Sequence, residues 1–367
     1  MNILNIANKA KLLLNNDITY VILGVTAHCN AKCNHCFYWH NIEKAKFRKH
    51  LSIDEFEKLS KNFKELLLIN LCGAEPWLRK DLPEIANIFA KNNKAKYITI
   101  PSNGFLTNLI LKGAEKMLKD NPDTFFRFCI SIDDIGDAHD KIRGVPGLFN
   151  QLCVTAKKMS ELKKKYKNFY MVSSTVYSRD TDFTILNTID YIRKNLPFDH
   201  NAITYVRGTP KDIRTKQNVD LEKYKQIAKD LAEKNNVKRH PMSSVINSIS
   251  RMAAEKVCES EYAKTTKERP FECYAGSKLL VVDDIGDVAP CEILKTKFGN
   301  LRDYNFDLKK MLNEHASKEL VQSIKDKKCN CTWECAIQSS IIFNKKEYPK
   351  LLKKTLNPYT AGEVLKS

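Results

Sequence analysis

Short apolar runs recur along the chain, each closed by small or polar residues, with longer amphipathic stretches between them. Tyr20 to Val25, Leu66 to Leu71, Tyr97 to Ile100, Phe125 to Ile132, Tyr170 to Val176 and Ala202 to Val206 are the six clearest runs. Their length and continuity predict buried strands, apolar on both faces. The intervening stretches carry helix signals. Ser52 and Glu55 have the spacing of a capping box, and Ile53, Phe56 and Leu59 then form an apolar stripe. Asp81 and Glu84 repeat that spacing, and a further helix is expected over Phe183 to Asn195. Six strands alternating with helices predict parallel β/α units, whose active sites lie at the C-terminal ends of the strands.

The pattern changes after the sixth strand. From about Leu221 to Lys256 it is helical, amphipathic and charged. A strand-like run, Lys278 to Val282, then precedes a turn at Asp283-Asp284-Ile285-Gly286, and Val288 leads to Cys291. Gly286 can supply the positive φ that a hairpin needs. Ahead of the first strand, Met1 to Asn16 reads as an amphipathic lead-in helix with Lys9 and Lys11, lacking a small-residue cleavage site. No apolar run approaches the roughly 20 residues of a membrane span, and a cytoplasmic location is the default expectation.

The 367 residues suffice for one large α/β domain and a smaller one. The net charge of +18 would attract anions: a nucleotide, a phosphorylated substrate, nucleic acid or an acidic protein. The lysines are scattered and not interleaved with aromatic residues, so a nucleic-acid platform is not expected. A metal-stabilised nucleic-acid-binding protein, favoured by charge alone, is the competing class.

The twelve cysteines carry the chemistry. Cys29, Cys33 and Cys36 are spaced C-x3-C-x2-C directly after the first strand. Three thiols in so short a loop can hold one corner of a metal cluster, and a four-iron cluster would be left one ligand short. Five more lie late, at Cys273, Cys291, Cys329, Cys331 and Cys335. Clustered thiols in a chain that does not need disulfides argue for metal, iron–sulfur or zinc. Cys129 and Cys153 read as core packing, Cys258 as a thiol on a helix surface, and Cys72 is ambiguous because it adjoins a motif.

At the first loop the sequence resembles the radical S-adenosylmethionine (radical SAM) superfamily, where this spacing holds a [4Fe–4S] cluster and the residue before the third cysteine, here His35, is aromatic or His. Cys72-Gly73-Ala74-Glu75-Pro76 is similar to that family's second motif, usually Gly-Gly-Glu-Pro, which holds the methionyl ammonium of S-adenosylmethionine; Ala74 replaces the second glycine. Ser102-Asn103-Gly104 resembles its polar turn near the nucleoside. Ser131-Ile132-Asp133-Asp134 with His139 to Gly144 resembles the stretch whose polar groups bind the ribose, and there Arg143 would pair with the methionyl carboxylate. Cys273, Gly286, Cys291 and Gly299-Asn300-Leu301 resemble the C-terminal twitch or SPASM extension, in which four of the five late cysteines would hold one auxiliary [4Fe–4S] cluster. Cys273, Cys291, Cys331 and Cys335 are the favoured four, with Cys329 as competitor, and a structural zinc site is the alternative.

The resemblance implies a partial (β/α)6 TIM-type barrel with a small C-terminal cysteine-rich α+β domain. It divides the chain into a lead-in helix (1–18), a radical SAM core (19–235), a helical bridge (236–270), the auxiliary domain (271–343) and a tail (344–367). It implies two [4Fe–4S] clusters, bound S-adenosylmethionine, a 5′-deoxyadenosyl radical that abstracts hydrogen from substrate, and an acidic electron donor such as flavodoxin or ferredoxin. A small polar substrate, sugar-like or nucleotide-like, is the first expectation. The first strand begins near Tyr20, with no peptide-recognition domain before it, which weighs against the alternative of a peptide-modifying maturase. Arg207, just past the sixth strand, is placed at the mouth of the site.

Overall fold

The computed structural model describes residues 12–13, 15–234, 243–263 and 269–356. Most of the lead-in helix falls outside the described residues, as do residues 236–242 and 264–268 of the predicted bridge, whose remainder is mainly the Ser243–Tyr262 helix. The core is a parallel sheet of six strands: β1 (Tyr20–Thr26), β2 (Leu68–Gly73), β3 (Tyr97–Ser102), β4 (Phe125–Ser131), β5 (Phe169–Tyr177) and β6 (His200–Tyr205). All seven residues of β1 are buried, as its unbroken apolar sequence requires. Alternate side chains go to opposite faces. Val21, Leu23, Ile69, Ile98, Ile100, Phe126, Phe128 and Met171 share one core with the surrounding helices. The other face lines a lumen.

The sheet is open: its strand order is β6-β5-β4-β3-β2-β1-β7-β8-β9. β7 (Leu279–Val282) pairs in parallel with β1, Tyr20 opposite Leu279 and Leu23 opposite Val282. β8 (Asp287–Ala289) and β9 (Gly299–Asn300) follow antiparallel. The cysteine-bearing hairpin therefore continues the barrel sheet. Gly286, at φ +90°, turns it as expected.

The turn of this hairpin is anchored. Asp284 is fully buried, and its carboxylate accepts from Tyr38 (2.7 Å) and from Nε and Nη2 of Arg48 (both 2.7 Å). His50 lies 3.4 Å from the same group, and Arg48 Nη2 also reaches Asp283 at 3.0 Å. Arg302 ties the next turn to Glu55 at 2.6 Å. That carboxylate also completes the predicted capping box with Ser52.

Two local expectations are corrected. Asp81 precedes the Leu82–Asn92 helix but makes no capping bond, because its carboxylate is engaged by Arg79 at 2.7 Å. Cys258 is buried, not on the surface. The Ser243–Tyr262 helix turns Met252, Val257 and Cys258 into a core with the Leu221–Lys234 and Glu334–Phe343 helices, and the thiol lies 3.3 Å from the Leu221 carbonyl. No helix among the described residues is long and apolar enough to cross a membrane.

Candidate active site and thiol clusters

The loop carrying Cys29, Cys33 and Cys36 is held by backbone on two sides. Lys32 and Asn34 donate to the carbonyls of Arg143 (2.9 Å) and Ile142 (3.1 Å), while Lys211 and Asp212 donate to those of Cys36 (3.0 Å) and Asn34 (2.8 Å). Gly144, at φ +65°, permits this approach, since a Cβ there would stand 3.1 Å from that of Lys32. Burial raises all three thiols, Cys29 to about 12 and Cys36 to about 11; for Cys33 the Arg143 guanidinium, 3.7 Å away, pulls the other way. Bare, they are neutral at pH 7, so holding them as thiolates calls for a metal's positive charge. The donor set fits an iron–sulfur cluster in that respect.

Gly73 brings β2's end against β1. Its φ is +108°, and a Cβ would lie 2.4 Å from the Thr26 carbonyl. Ala74 and Glu75 then donate to the carbonyls of Thr26 and His28, both at 3.0 Å. This bend buries the Glu75 carboxylate, which accepts from Asn103 N (2.8 Å), Ser102 Oγ (3.0 Å) and Trp77 N (3.4 Å). Burial pushes it up to about 7, although those donors and Arg143 pull it down. It has no ion-pair partner among the described residues. A buried carboxylate surrounded by neutral donors suits a ligand ammonium. Asn103 also donates to Asn30 Oδ1 at 2.6 Å, linking the cysteine loop to the third motif, while Asn30 Nδ2 is buried without a partner.

On the other side Asp133 is fully buried and accepts from Arg143 Nε (2.7 Å) and Val176 N (2.9 Å), with His35 Nε2 at 3.7 Å. Burial alone would raise this carboxyl, but Arg143, His35 and His139 outweigh it and hold it at about 2. His139 accepts from Asp133 N and is lowered to about 4 by burial and Arg143. Arg143 is thus a buried, oriented guanidinium, with Nη2 free of the Asp133 contact. Ser131 stands at the end of β4, in register with Ser174.

The late cysteines share one apolar cluster, in which the Cys331 and Cys329 thiols act electrostatically on Cys273, and Cys331 and Cys273 on Cys291. Arg269, almost fully buried, fixes this group: it donates to Cys329 Sγ (3.3 Å), Phe271 O (2.9 Å) and Ile324 O (2.6 Å). Burial raises Cys273 to about 11 and Cys291 to about 12. For Cys335 the strongest electrostatic neighbours are Arg207, Glu292 and Tyr20. Cys72 lies in the same surroundings. Arg207 stacks 4.9 Å from the Phe37 ring and lies 3.9 Å from Glu292, whose carboxylate also takes the Trp333 indole N–H at 2.9 Å. Among the described residues no three His, Cys, Asp or Glu side chains gather around a single-ion position.

Sequence reasoning passed over Glu292, Glu334, Arg127 and Asp284. Arg127 had a signal, a lone cation inside an apolar strand. Asp284 had none, since a turn with two aspartates is ordinary.

Residues 23–192 match the family model described as the radical SAM superfamily. A probable GTP 3′,8-cyclase of Methanococcus aeolicus is 32% identical over 189 residues, covering 50% of this chain and 58% of the relative. The antilisterial bacteriocin subtilosin biosynthesis protein AlbA of Bacillus subtilis is 24% identical over 286 residues, 76% of this chain and 56% of that protein. The chain thus spans less than two thirds of either relative. Among solved structures, anSMEcpe with bound AdoMet aligns at TM-score 0.58 and 18% identity, over 93% of this chain and 99% of that one. SuiB of Streptococcus suis bound to precursor peptide SuiA aligns at 0.58 and 15%, over 87% and 70%. Residues 23–192 thus carry a radical SAM domain.

Proposed function

We propose that the chain binds a [4Fe–4S] cluster through Cys29, Cys33 and Cys36 and S-adenosylmethionine beside it, and uses the pair to abstract hydrogen from a small substrate in the lumen. When bound, the reduced cluster supplies the electron that splits S-adenosylmethionine into methionine and a 5′-deoxyadenosyl radical. The observation that carries the reading is the meeting of three thiols, the buried Glu75 carboxylate and the buried Arg143 guanidinium at the C-terminal end of the sheet. Glu75 takes the methionyl ammonium, with Gly73 and Ala74 supplying the close backbone. Arg143, fixed through Nε by Asp133 and with Nη1 against the Cys33 thiol, offers Nη2 to the methionyl carboxylate. Ser102, Asn103, Ser131 and Asp133 serve the nucleoside end, and His35 packs against Asp133.

We assign a second cluster to Cys273, Cys291, Cys329 and Cys331, supported by the electrostatic influence of Cys331 on both Cys273 and Cys291 and of Cys329 on Cys273, whereas Cys335 meets Arg207, Glu292 and Tyr20. A lumen cavity of about 480 Å³ favours a small molecule. A peptide is the second reading, favoured by the similarity to AlbA over 76% of the chain. Anaerobically reconstituted protein should release 5′-deoxyadenosine from S-adenosylmethionine, and Cys33→Ala should abolish this. Iron counts then assign the second set: Cys329→Ala should lose about half the iron and Cys335→Ala little, on four irons per cluster. The reverse pattern removes the assignment, and stoichiometric zinc without sulfide removes the reading altogether.

A further inference from the structure

We propose that the lumen contains an anion site built on Arg127, which takes the carboxylate or phosphate end of a ligand whose remaining part is apolar. Arg127 is the third residue of β4 and shares its lumen face with Cys129 and Ser131. Its Nε is shielded from solvent and has no hydrogen-bond partner. None of its side-chain N–H groups is engaged by a carboxylate among the described residues. The groups that act on it electrostatically include the Cys129 and Cys335 thiols and the Tyr170 and Tyr20 phenols. Glu334 acts on it electrostatically but its Oε1 is committed to Tyr205 N at 2.9 Å and the Tyr224 hydroxyl at 2.6 Å. The contrast with Arg207, which has Glu292 and an aromatic face, is direct.

A half-buried cation whose Nε is shielded from solvent and unpaired is costly to keep, so a lone guanidinium in this position implies that its partner is a ligand. Its planar fork of N–H donors matches carboxylate and phosphate.

Arg127 lines the cavity of about 480 Å³, a size typical of small-molecule sites. Leu68, Ile203, Leu231 and Ile249 give that cavity an apolar wall, while Thr99 and Ser174 supply hydroxyls. An apolar body with one anionic end is therefore the complement. Ser174 is in register with Ser131, at the S-adenosylmethionine end, and Arg127 lies four positions back along β4. At strand spacing that is roughly 13 Å. A ligand held at Arg127 presents its far end toward the place where hydrogen would be removed. The site depends on the proposed function only in treating that ligand as substrate.

The test uses the reconstituted full chain without S-adenosylmethionine or reductant. Binding of octanoate, octyl phosphate, 1-octanol and octylammonium is measured by calorimetry for wild type, Arg127→Gln and Arg127→Lys. The expected result is that one of the two anions binds wild type about 10- to 100-fold more tightly than octanol, the factor a charge-assisted hydrogen bond supplies. Octylammonium should bind worst. Arg127→Gln should remove the preference, and Arg127→Lys should keep part of it. The tighter of the two anions identifies the end group. Ligand-free Arg127→Gln should melt at or above the wild-type temperature, because the substitution deletes an unpaired, half-buried charge. Equal binding of anion and alcohol by wild type, or an unchanged preference in Arg127→Gln, overturns the site. A wild type that releases 5′-deoxyadenosine yet shows no anion preference sinks this inference alone. One that prefers the anion but leaves S-adenosylmethionine intact sinks the functional reading alone.

Discussion

Changing Asp284 to Ala removes the group on which the hairpin turn and the segment after the cysteine loop converge. The carboxylate has no exposed surface and receives one bond from Tyr38 and two from Arg48, each at 2.7 Å. Breaking a buried, hydrogen-bonded ion pair from one side costs about 3–5 kcal/mol. Arg48 keeps Asp283 at 3.0 Å and its side chain is 13% exposed, which moves the expectation to the lower end, about 3 kcal/mol. That is roughly a hundredfold change in the folding equilibrium. The assay is urea denaturation of reconstituted protein under anaerobic conditions, run as a double-mutant cycle with Arg48→Met. The double variant should lose less than the two single losses added together, since it leaves no stranded charge. Asp284→Asn, which keeps the shape and an acceptor for Tyr38, should fall between. An Asp284→Ala protein as stable as wild type, or additive losses in the cycle, would refute the reasoning.

Gly73→Ala should cost about 1–3 kcal/mol from positive φ alone and weaken S-adenosylmethionine binding, because the Cβ would sit 2.4 Å from the Thr26 carbonyl; unchanged denaturation and binding would contradict this. For Glu75, raised to about 7, the folded state binds the extra proton across pH 4.5 to 7, so its contribution to stability is lost as pH rises through that window. Glu75→Gln should therefore match or exceed wild-type stability at pH 8, and it should flatten the rise of S-adenosylmethionine affinity expected in wild type between pH 6 and 8, both read by titration calorimetry and melting. With a net charge of +18, turnover driven by an acidic flavodoxin should fall steeply above roughly 0.15 M salt, where the screening length is about 8 Å, while turnover driven by dithionite changes much less. Equal salt dependence with both reductants would show that the charge serves something else.

The barrel was legible because each strand is a continuous apolar run closed by its own motif, so sequence position and spatial position coincide at the C-terminal edge. The proximity of Glu75, Ser102 and Asn103 was implied by motif order. The ion pair of Arg143 with Asp133 was not, since nothing in the His139 to Gly144 stretch says which way the guanidinium turns. Cys335 shows another limit. Its spacing from Cys331 fits a ligand loop, and nothing in that spacing says that a cysteine at the start of the Glu334–Phe343 helix also meets Tyr20. The pairing of β7 with β1 left no trace, because parallel neighbours need no local connection.

That pairing also sets a timetable. Tyr20 and its partner Leu279 stand about 260 residues apart in the chain. At cellular rates of 5–20 residues per second, the ribosome needs roughly 13 to 50 s to cover that distance. Throughout this interval β1 lacks its outer neighbour, an apolar strand with an open edge prone to pairing with other chains. Contacts so distant in sequence also form slowly. The nascent protein therefore has the three thiols of its first loop long before it has the turn that anchors the loop's flank. Iron loaded early would enter a half-built wall, and a chaperone holding β1 during synthesis would protect both the sheet and the cluster site.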